Sequence, residues 1–188
     1  MKRPAAPGAV RIIGGSLRGS KLAVPALAGL RPTPQRLRET LFNWLMPVVN
    51  GARVLDLFAG SGALGIEAVS RGAAHALFIE RDRGQAAKIS ADLQRLHLEN
   101  AEVRCMDALE FLANTPAQAS DIVFLDPPFE ADLWVRAAAL LDANGWLGAD
   151  TYIYIEAPSE AGPELPSHWR LHRETRAGAV RGALFRPG

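Results

Sequence analysis

Residues 54–67 read Val-Leu-Asp-Leu-Phe-Ala-Gly-Ser-Gly-Ala-Leu-Gly-Ile-Glu, and this stretch decides the fold of the chain. The apolar run at its start, interrupted only by Asp56, predicts a buried strand. Gly60, Gly62 and Gly65 follow at the GxGxxG spacing. Glycine lets backbone N–H groups approach a ligand closely, and the apolar residues after the turn predict a packed helix. The stretch therefore predicts a nucleotide-type binding turn at the carboxyl end of a first parallel strand.

The glycine spacing alone leaves two kinds of ligand open. In a dinucleotide site the turn receives a pyrophosphate. Here Asp56 lies four residues before Gly60, and a fixed negative charge at the strand tip suits a cationic ligand better. The alternative role for Asp56 is to cap the following turn. The stretch resembles the glycine motif of class I methyltransferases, whose ligand S-adenosylmethionine carries an ammonium and a sulfonium.

Composition limits the classes of protein that this chain can represent. Its 188 residues are 48% hydrophobic, enough for one domain or one domain with a small appendage. The single cysteine, Cys105, excludes an internal disulfide framework and a cysteine metal cluster, and we expect a buried, inert thiol on a strand. No apolar run is long enough to span a bilayer and no signal-peptide pattern follows Met1. We therefore expect a cytoplasmic protein.

The charges are unevenly distributed although the net charge is only +1. Residues 1–38 contain eight basic side chains and no acid, and residues 168–188 contain five arginines and one glutamate. Residues 39–167 contain 8 basic and 19 acidic residues. Basic ends on an acidic body suggest that the ends contact a polyanion.

The N-terminal part of the chain predicts a small extension. Residues 10–13 and 21–24 flank a glycine-containing turn and predict a hairpin with Arg11, Arg18 and Lys21 exposed. We assign residues 1–30 to a basic tail and β-hairpin extension and residues 31–188 to the main domain. A helix is predicted to begin with Thr33 as N-cap and Pro34 at its first position. Because the strand–helix repeat starts only at residue 53, we expect the main domain to fold without residues 1–30.

From residue 53 strands and helices alternate, which is typical of a parallel sheet covered on both faces. Strands are predicted at 53–58, 75–80, 101–105, 121–126 and 151–155, with helices to about 71 and near 83–96, 108–113 and 132–141. Two further strands near 169–175 and 183–185 predict an antiparallel hairpin at the sheet edge. The predicted fold class is α/β and Rossmann-like, with a seven-stranded, mostly parallel sheet.

Further acidic residues follow the predicted strands, where open parallel sheets bind their ligands. Glu80 closes the second strand, and its carboxylate can accept both hydrogen bonds of a ribose diol. That feature does not separate S-adenosylmethionine from NAD. Asp107 follows the third strand, where it can accept from an adenine amino group, cap the next helix, or do both.

The fourth predicted strand ends in the most specific motif, Asp126-Pro127-Pro128-Phe129. Two prolines stiffen the loop and remove two N–H donors, and they favour an extended Asp126. The loop therefore offers acceptors, the Asp126 carboxylate and the Pro127 carbonyl, beside the aromatic Phe129. These features suit an exocyclic amine on a flat base that stacks on the ring. Acceptors placed for the positive charge that develops on nitrogen would lower the barrier to its reaction.

The motifs together resemble a known family. Asp126-Pro-Pro-Phe129 matches the Asn/Asp-Pro-Pro-Tyr/Phe motif of amino methyltransferases. Residues 11–19 (RIIGGSLRG), 30–45 (LRPTPQRLRETLFNWL), 56–65 (DLFAGSGALG) and 123–129 (VFLDPPF) resemble the RsmD family. Its members are bacterial methyltransferases that act on guanine N2 of small-subunit (16S) ribosomal RNA. The resemblance covers about residues 11–175, and residues 177–184 depart from the family's usual Gln-Val-aromatic pattern in the last hairpin.

The resemblance implies a role for each matched position. S-adenosylmethionine is the implied cofactor, with the glycine turn and Asp56 at its methionine part, Glu80 at the ribose and Asp107 at the adenine. The full set of implied cofactor-binding residues is Asp56, Phe58, Ala59, Gly60, Ser61, Gly62, Glu80, Arg81, Asp107 and Ala108. Asp126, Pro127, Pro128 and Phe129 form the implied catalytic loop. The implied RNA contacts are Arg11, Arg18, Lys21, Arg31, Thr33 and Arg36, and no metal site is expected.

The implied partner is 16S ribosomal RNA, within the small subunit or an assembly intermediate, bound by a monomer that contacts no membrane. Three rival functions stay open. Another amino methyltransferase would act on adenine N6 or a glutamine amide, although those usually carry Asn where this chain has Asp126. An NAD(P)-dependent oxidoreductase would use the same glycine turn. A non-catalytic RNA-binding protein would retain the fold without the chemistry.

Overall fold

The computed structural model describes residues 8–24, 33–128, 133–160 and 162–188. An N-terminal hairpin consists of β1 (Gly8–Arg11) and β2 (Lys21–Val24). The helices of the main domain are α1 (Gln35–Leu45), α2 (Ala63–Ser70), α3 (Arg83–Arg95), α4 (Ala108–Asn114) and α5 (Leu133–Ala143). Its strands are β3 (Arg53–Asp56), β4 (His75–Ile79), β5 (Ala101–Arg104), β6 (Ser120–Leu125), β7 (Leu147–Pro158), β8 (Arg170–Ala177) and β9 (Val180–Arg186).

The seven strands of the main domain form one sheet in the order β5-β4-β3-β6-β7-β9-β8. β3 to β7 run parallel, whereas β9 pairs antiparallel with both β7 and β8. The predicted α/β fold class, the mostly parallel sheet and the C-terminal hairpin at its edge are confirmed. The strand order reverses between β3 and β6, and such a switch point opens a crevice at the carboxyl ends of the strands.

Helices cover the two faces of the sheet unequally. Apolar side chains of α1, α2, α3 and the N-terminal hairpin pack on one face. Those of α4 and α5 pack on the other, around Phe111, Trp134 and Trp146. Within the described residues, no helix combines the length and the apolar character needed to cross a membrane.

Three local predictions are corrected by the structure. α1 has Pro34, not Thr33, at its N-cap position, without a side-chain cap hydrogen bond, because the Thr33 hydroxyl is directed at Asp126 instead. β7 extends to Pro158 rather than ending at residue 155, since β9 pairs along its whole second half. Cys105 is exposed rather than buried, because it follows Arg104, the last paired residue of edge strand β5.

The N-terminal hairpin shares the core of the main domain. Val10, Ile12, Leu22 and Val24 are buried in the same cluster as α1 and α2. The boundary expected at residue 30 lies outside the described residues. Because the hairpin covers part of this core, the expectation that the main domain folds without residues 1–30 is not supported by the packing, and we expect a chain lacking them to be unstable.

A buried carboxylate joins the hairpin to the main domain. Glu67, on α2, has 0% exposure and accepts from the backbone N–H groups of Ile13 (2.7 Å) and Gly14 (2.8 Å). Arg71 pairs with it at 2.7 Å. Beside it, Ser70 accepts from the Leu17 N–H through its hydroxyl at 2.9 Å. The loop between β1 and β2 is therefore held against α2 by hydrogen bonds to the helix's last two turns.

We predict that Glu67→Gln lowers the free energy of unfolding by about 3 kcal/mol, because it breaks a buried ion pair and removes an acceptor from a buried N–H. Urea unfolding monitored by circular dichroism measures the change. Glu102→Gln is the matched control, since Glu102 pairs with Arg104 at the surface and should cost less than about 1 kcal/mol. Equal losses in the two variants would contradict the role assigned to Glu67.

Candidate active site

The glycine turn lies at the switch point, directly after β3. Gly60 and Gly62 have positive φ angles of 54° and 74°, a conformation that glycine adopts without strain. Gly65 fulfils a different need, because a Cβ there would lie 2.2 Å from the ring of Phe78. Of the neighbours expected to bind the cofactor, Ala59 and Ser61 are buried and Phe58 is half-buried. The predicted strand–turn–helix motif is confirmed.

Glu80 follows β4 and braces the glycine turn. Its Oε2 accepts from the Gly60 N–H at 2.8 Å, and its Oε1 accepts from the Asp82 N–H at 2.8 Å. Each carboxylate oxygen has a second lone pair, so both can still accept from a diol. The hydrogen bond from Gly60 also brings the negative charge of Glu80 to the turn and occupies one of its N–H donors. A pyrophosphate would need that donor to be free.

Asp56 is the last residue of β3 and is 2% exposed. Its Oδ2 accepts from the Gly65 N–H in the first turn of α2 at 3.1 Å, so the capping role considered for it is present. Burial raises the pKa of Asp56 to about 7, the Gly65 hydrogen bond opposes that shift, and the charge of Glu80 adds to it. A carboxyl with this pKa gains its charge readily when a cation is placed beside it.

Asp107 follows β5 and caps α4. Its Oδ1 accepts from the N–H groups of Leu109 (2.8 Å) and Glu110 (3.1 Å). Both bonds fall on one oxygen, and Oδ2 takes part in neither of them. The predicted N-cap is therefore confirmed, and a second acceptor is left for the proposed adenine contact. Ala108, behind it, is buried, and Arg81 is exposed near the same edge.

Asp126 follows β6, across the switch point from Asp56. Thr33 donates to its Oδ2 over a long 3.4 Å contact. Burial raises the pKa of Asp126 well above its ordinary value, and the carboxylates of Glu156 and Asp56 raise it further, against the Thr33 hydrogen bond. Pro127 is buried and Pro128 is exposed, while Phe129 lies outside the described residues. The neighbouring carboxyls therefore favour the protonated form of Asp126.

Glu156, on β7, is a member of this site that sequence reasoning missed. It is 4% exposed, and Tyr154 donates to its Oε2 at 3.2 Å. Burial raises the pKa of Glu156, and hydrogen bonds from Thr33 and Tyr154 oppose that shift. Because the predicted strand ended at residue 155, Glu156 fell into a loop. The alternation Tyr152, Tyr154, Glu156 was the pattern that could have placed it on one face of a longer strand.

The strand register explains why these carboxyls meet. Asp56 pairs with Phe124 of β6, and Phe124 pairs with Tyr154 of β7, so the three lie in one row across the sheet. Asp126, directly after the end of β6, and Glu156, on β7, each follow this row by two residues and hence lie on the same face. That face is the one covered by α1 and α2. The structure thus brings Asp56, Asp126 and Glu156 together beneath α1.

The residues expected to contact RNA separate into exposed and buried groups. Arg11, Arg18, Lys21 and Arg36 are exposed, and none of the four forms an ion pair with an acidic residue in the described part of the chain. Thr33, expected among them, is buried beside Asp126, and Arg31 lies outside the described residues. Arg38, which belongs to the same basic cluster, is also buried.

Arg38 has a structural contact instead. It donates from Nη1 to the Arg11 carbonyl at 3.1 Å, and so ties α1 to the hairpin strand β1. Burial lowers the pKa of Arg38, and the charges of Glu67 and Glu39 oppose that shift. Among the described residues, no three His, Cys, Asp or Glu side chains are grouped so that they could hold a metal ion.

Comparison with known proteins agrees with this geometry. The sequence model of a family described as conserved hypothetical protein 95 matches residues 10–186. Ribosomal RNA small subunit methyltransferase D of Escherichia coli is 50% identical over 98% of this chain and 94% of the relative. The Haemophilus influenzae protein of the same name is 44% identical over 98% of this chain and 97% of the relative.

A solved structure shows the same fold over almost the whole chain. The protein described as "Putative methyltransferase yhhF from Escherichia coli" superposes with a TM-score of 0.87 and 49% identity, covering 96% of this chain and 98% of that one. The match to the family's sequence model and to two close relatives extends through the hairpin, the glycine turn and the Asp126 loop. The chain therefore belongs to the family described as conserved hypothetical protein 95, the RsmD family.

Proposed function

We propose that this protein transfers a methyl group from S-adenosylmethionine to the exocyclic N2 amine of a guanine in 16S ribosomal RNA. The observation that carries the proposal is the pair of carboxyls at the switch point beside the glycine turn, the buried Asp56 and the half-buried Asp126. Such a pair suits a cationic ligand at Asp56 and a hydrogen-bond-donating amine at Asp126.

The residues present fit S-adenosylmethionine. Asp56 is at the turn, Glu80 retains lone pairs for a ribose diol, and Asp107 retains Oδ2 for the adenine amine. We assign the lining of this pocket to Phe58, Ala59, Ser61, Arg81 and Ala108. When bound, S-adenosylmethionine supplies an electrophilic methyl group attached to a positively charged sulfur.

The chain's own residues would orient the amine and exclude water. The Asp126 carboxylate and the Pro127 carbonyl each accept a hydrogen bond from one N–H of the amine. These two hydrogen bonds direct the nitrogen lone pair towards the methyl group. We assign Phe129 to stacking against the base and Pro128 to stiffening the loop. As positive charge develops on nitrogen, the fixed acceptors stabilise it without reorganisation. An amine is its own nucleophile, so this pathway requires no covalent enzyme intermediate.

The same geometry argues against a dinucleotide in this site. The Gly60 N–H already donates to Glu80, and the Gly65 N–H donates to Asp56. A pyrophosphate would have to displace these hydrogen bonds and would bring its negative charge next to the buried Asp56 carboxylate, and like charges repel more strongly in a buried site than in water. An adenine or glutamine amide acceptor would require the same amine geometry, and membership of the RsmD family favours guanine over both.

RNA would approach over the hairpin and the start of α1. Arg11, Arg18, Lys21 and Arg36 are exposed there, and we include Arg31 on the strength of the family resemblance. The relatives' name identifies small-subunit ribosomal RNA as their substrate. We infer that the substrate here is 16S RNA in the small subunit or an assembly intermediate, bound by a monomer in the cytoplasm.

We predict that Asp126→Ala lowers the single-turnover rate of methyl transfer about 10²-fold, the effect of losing one preorganised electrostatic partner. Affinity for S-adenosylmethionine, measured by calorimetry, should change little. Asp150→Asn is the control, because Asp150 is exposed and pairs with Arg186. Mass spectrometry should identify N2-methylguanine as the product, and methyl groups on adenine or on protein would contradict the guanine assignment.

We predict that affinity for S-adenosylmethionine falls as the pH falls from 7.5 to 5.5. Because burial raises the pKa of Asp56 to about 7, acid neutralises this carboxyl and removes its attraction for a cation. If binding requires Asp56 to be ionised, affinity should fall by at most about tenfold for each pH unit below its pKa. Asp56→Asn should give a flatter profile, as should S-adenosylhomocysteine, which lacks the sulfonium charge. The same steep slope in Asp56→Asn would exclude Asp56 as the titrating group.

We predict that replacing Arg11, Arg18 and Lys21 with glutamine weakens RNA binding and makes it less salt-dependent. If each contacts a phosphate, the slope of log affinity against log salt should lose roughly 2 in magnitude. Cofactor affinity should not change. Arg136→Gln is the control, because Arg136 is exposed on α5 across the sheet. An unchanged slope in the triple variant would remove the hairpin from the RNA interface.

A further inference from the structure

Glu156 is a buried acidic residue for which the proposed binding of cofactor and amine gives no role. It is 4% exposed on β7, the strand next to the Asp126 strand. Leu125 pairs with Ile155, so Asp126 and Glu156 are the next residues on two strands that lie about 4.8 Å apart. The rings of Phe124 and Tyr154 pack edge to face. Asp126 lies two residues after Phe124, and Glu156 lies two residues after Tyr154. The two carboxyls are therefore side by side.

The surroundings of Glu156 are built to hold a carboxyl. Tyr154, itself buried, donates its hydroxyl to Oε2 at 3.2 Å. Gly182 pairs with Glu156 across β7 and β9, and a Cβ at Gly182 would lie 2.7 Å from the Tyr154 hydroxyl oxygen. The absence of a side chain at residue 182 thus leaves space for the hydroxyl that contacts Glu156.

Thr33 links the two carboxyls from above the sheet. Its hydroxyl donates to Asp126 Oδ2, and its hydrogen bond also acts on Glu156. A hydroxyl has one hydrogen, so it can donate to only one of the two carboxyls at a time. Glu156 is buried and Asp126 is half-buried, and two adjacent carboxyls with so few donors favour holding one proton between them, so that they titrate as a pair.

We propose that Glu156 is a positioning residue that shares one proton with Asp126 and thereby sets Asp126 to accept the proton released by the substrate amine. This inference rests on the proposed function. In the reaction the amine nitrogen bonds to the methyl carbon, and the carbon–sulfur bond breaks with its electron pair remaining on sulfur. The nitrogen then loses a proton to Asp126. The pair gains that proton as a unit, and returns it to solvent before the next turnover.

Among the described residues, the groups that face this pair are Asp56 on β3, Tyr154 on β7 and Thr33 ahead of α1. Because like charges and hydrogen-bond donors act in opposite directions, we expect opposite shifts in the titration of the pair for two variants. Glu156→Gln removes a like charge, so Asp126 should titrate at lower pH. Tyr154→Phe removes a donor that stabilises the ionised form, so the pair should titrate at higher pH.

The first test is a carboxyl ¹³C NMR titration of the cofactor-free protein labelled at Asp and Glu. In Glu156→Gln, the Asp126 midpoint should fall by about 1 pH unit or more, the coupling expected of a proton-sharing pair. In Tyr154→Phe, the Glu156 midpoint should rise. Glu174→Gln, on exposed β8, is the control and should move neither. An Asp126 midpoint that is the same in Glu156→Gln and in the wild type would overturn the proposal.

The second test is the single-turnover rate of RNA methylation as a function of pH. The acid limb should move to lower pH in Glu156→Gln, with a lower plateau because Asp126 becomes a weaker base, and to higher pH in Tyr154→Phe. A rate lowered equally at every pH, with the limb unmoved in both variants, would assign Glu156 a merely structural role and overturn the proposal. If the NMR coupling is present but guanine is not methylated, the proposed function fails and the carboxyl pair stands.

Discussion

The parallel register of β3, β6 and β7 is the constraint on which the site depends. It places Asp56, Phe124 and Tyr154 in one row, and so brings Asp126 and Glu156 to the same edge. A slip of one residue would turn both carboxyls towards α4 and α5, away from the glycine turn. The aromatic row beneath them is buried, which fixes the register through packing, so the hydrophobic core decides where the charges lie.

The same face of the sheet connects the site to the hairpin that we propose contacts RNA. α2 begins at the glycine turn, where Gly65 donates to Asp56, and carries Glu67 and Ser70 towards its other end, where they hold the hairpin loop. One eight-residue helix therefore contacts both the proposed cofactor site and the basic hairpin. This arrangement explains why the hairpin is part of the core rather than an appendage, and why RNA bound to it would lie next to the reacting groups.

The sequence predicted the parts of the fold that local patterns determine. Apolar alternation and the glycine spacing around Gly62 located β3 to β6, their helices and the acidic residues at their ends. Glu156 was missed because β9 lengthens β7, and such pairing is not visible in a local pattern. Thr33 was misassigned because Asp126 competes for its hydroxyl, and Cys105 was misplaced because β5 is an edge strand. Contacts between distant segments account for each of these errors.

We propose that this protein methylates guanine N2 in small-subunit ribosomal RNA at the edge of the sheet where Asp56 and Asp126 lie. The most direct test is nucleoside analysis by mass spectrometry of 16S RNA from a strain lacking this protein. We expect that one N2-methylguanosine per 16S molecule disappears, and that it returns when the wild-type gene is supplied but not when the Asp126→Ala gene is. An unchanged N2-methylguanosine content, or the loss of a methylated adenosine in its place, would contradict it.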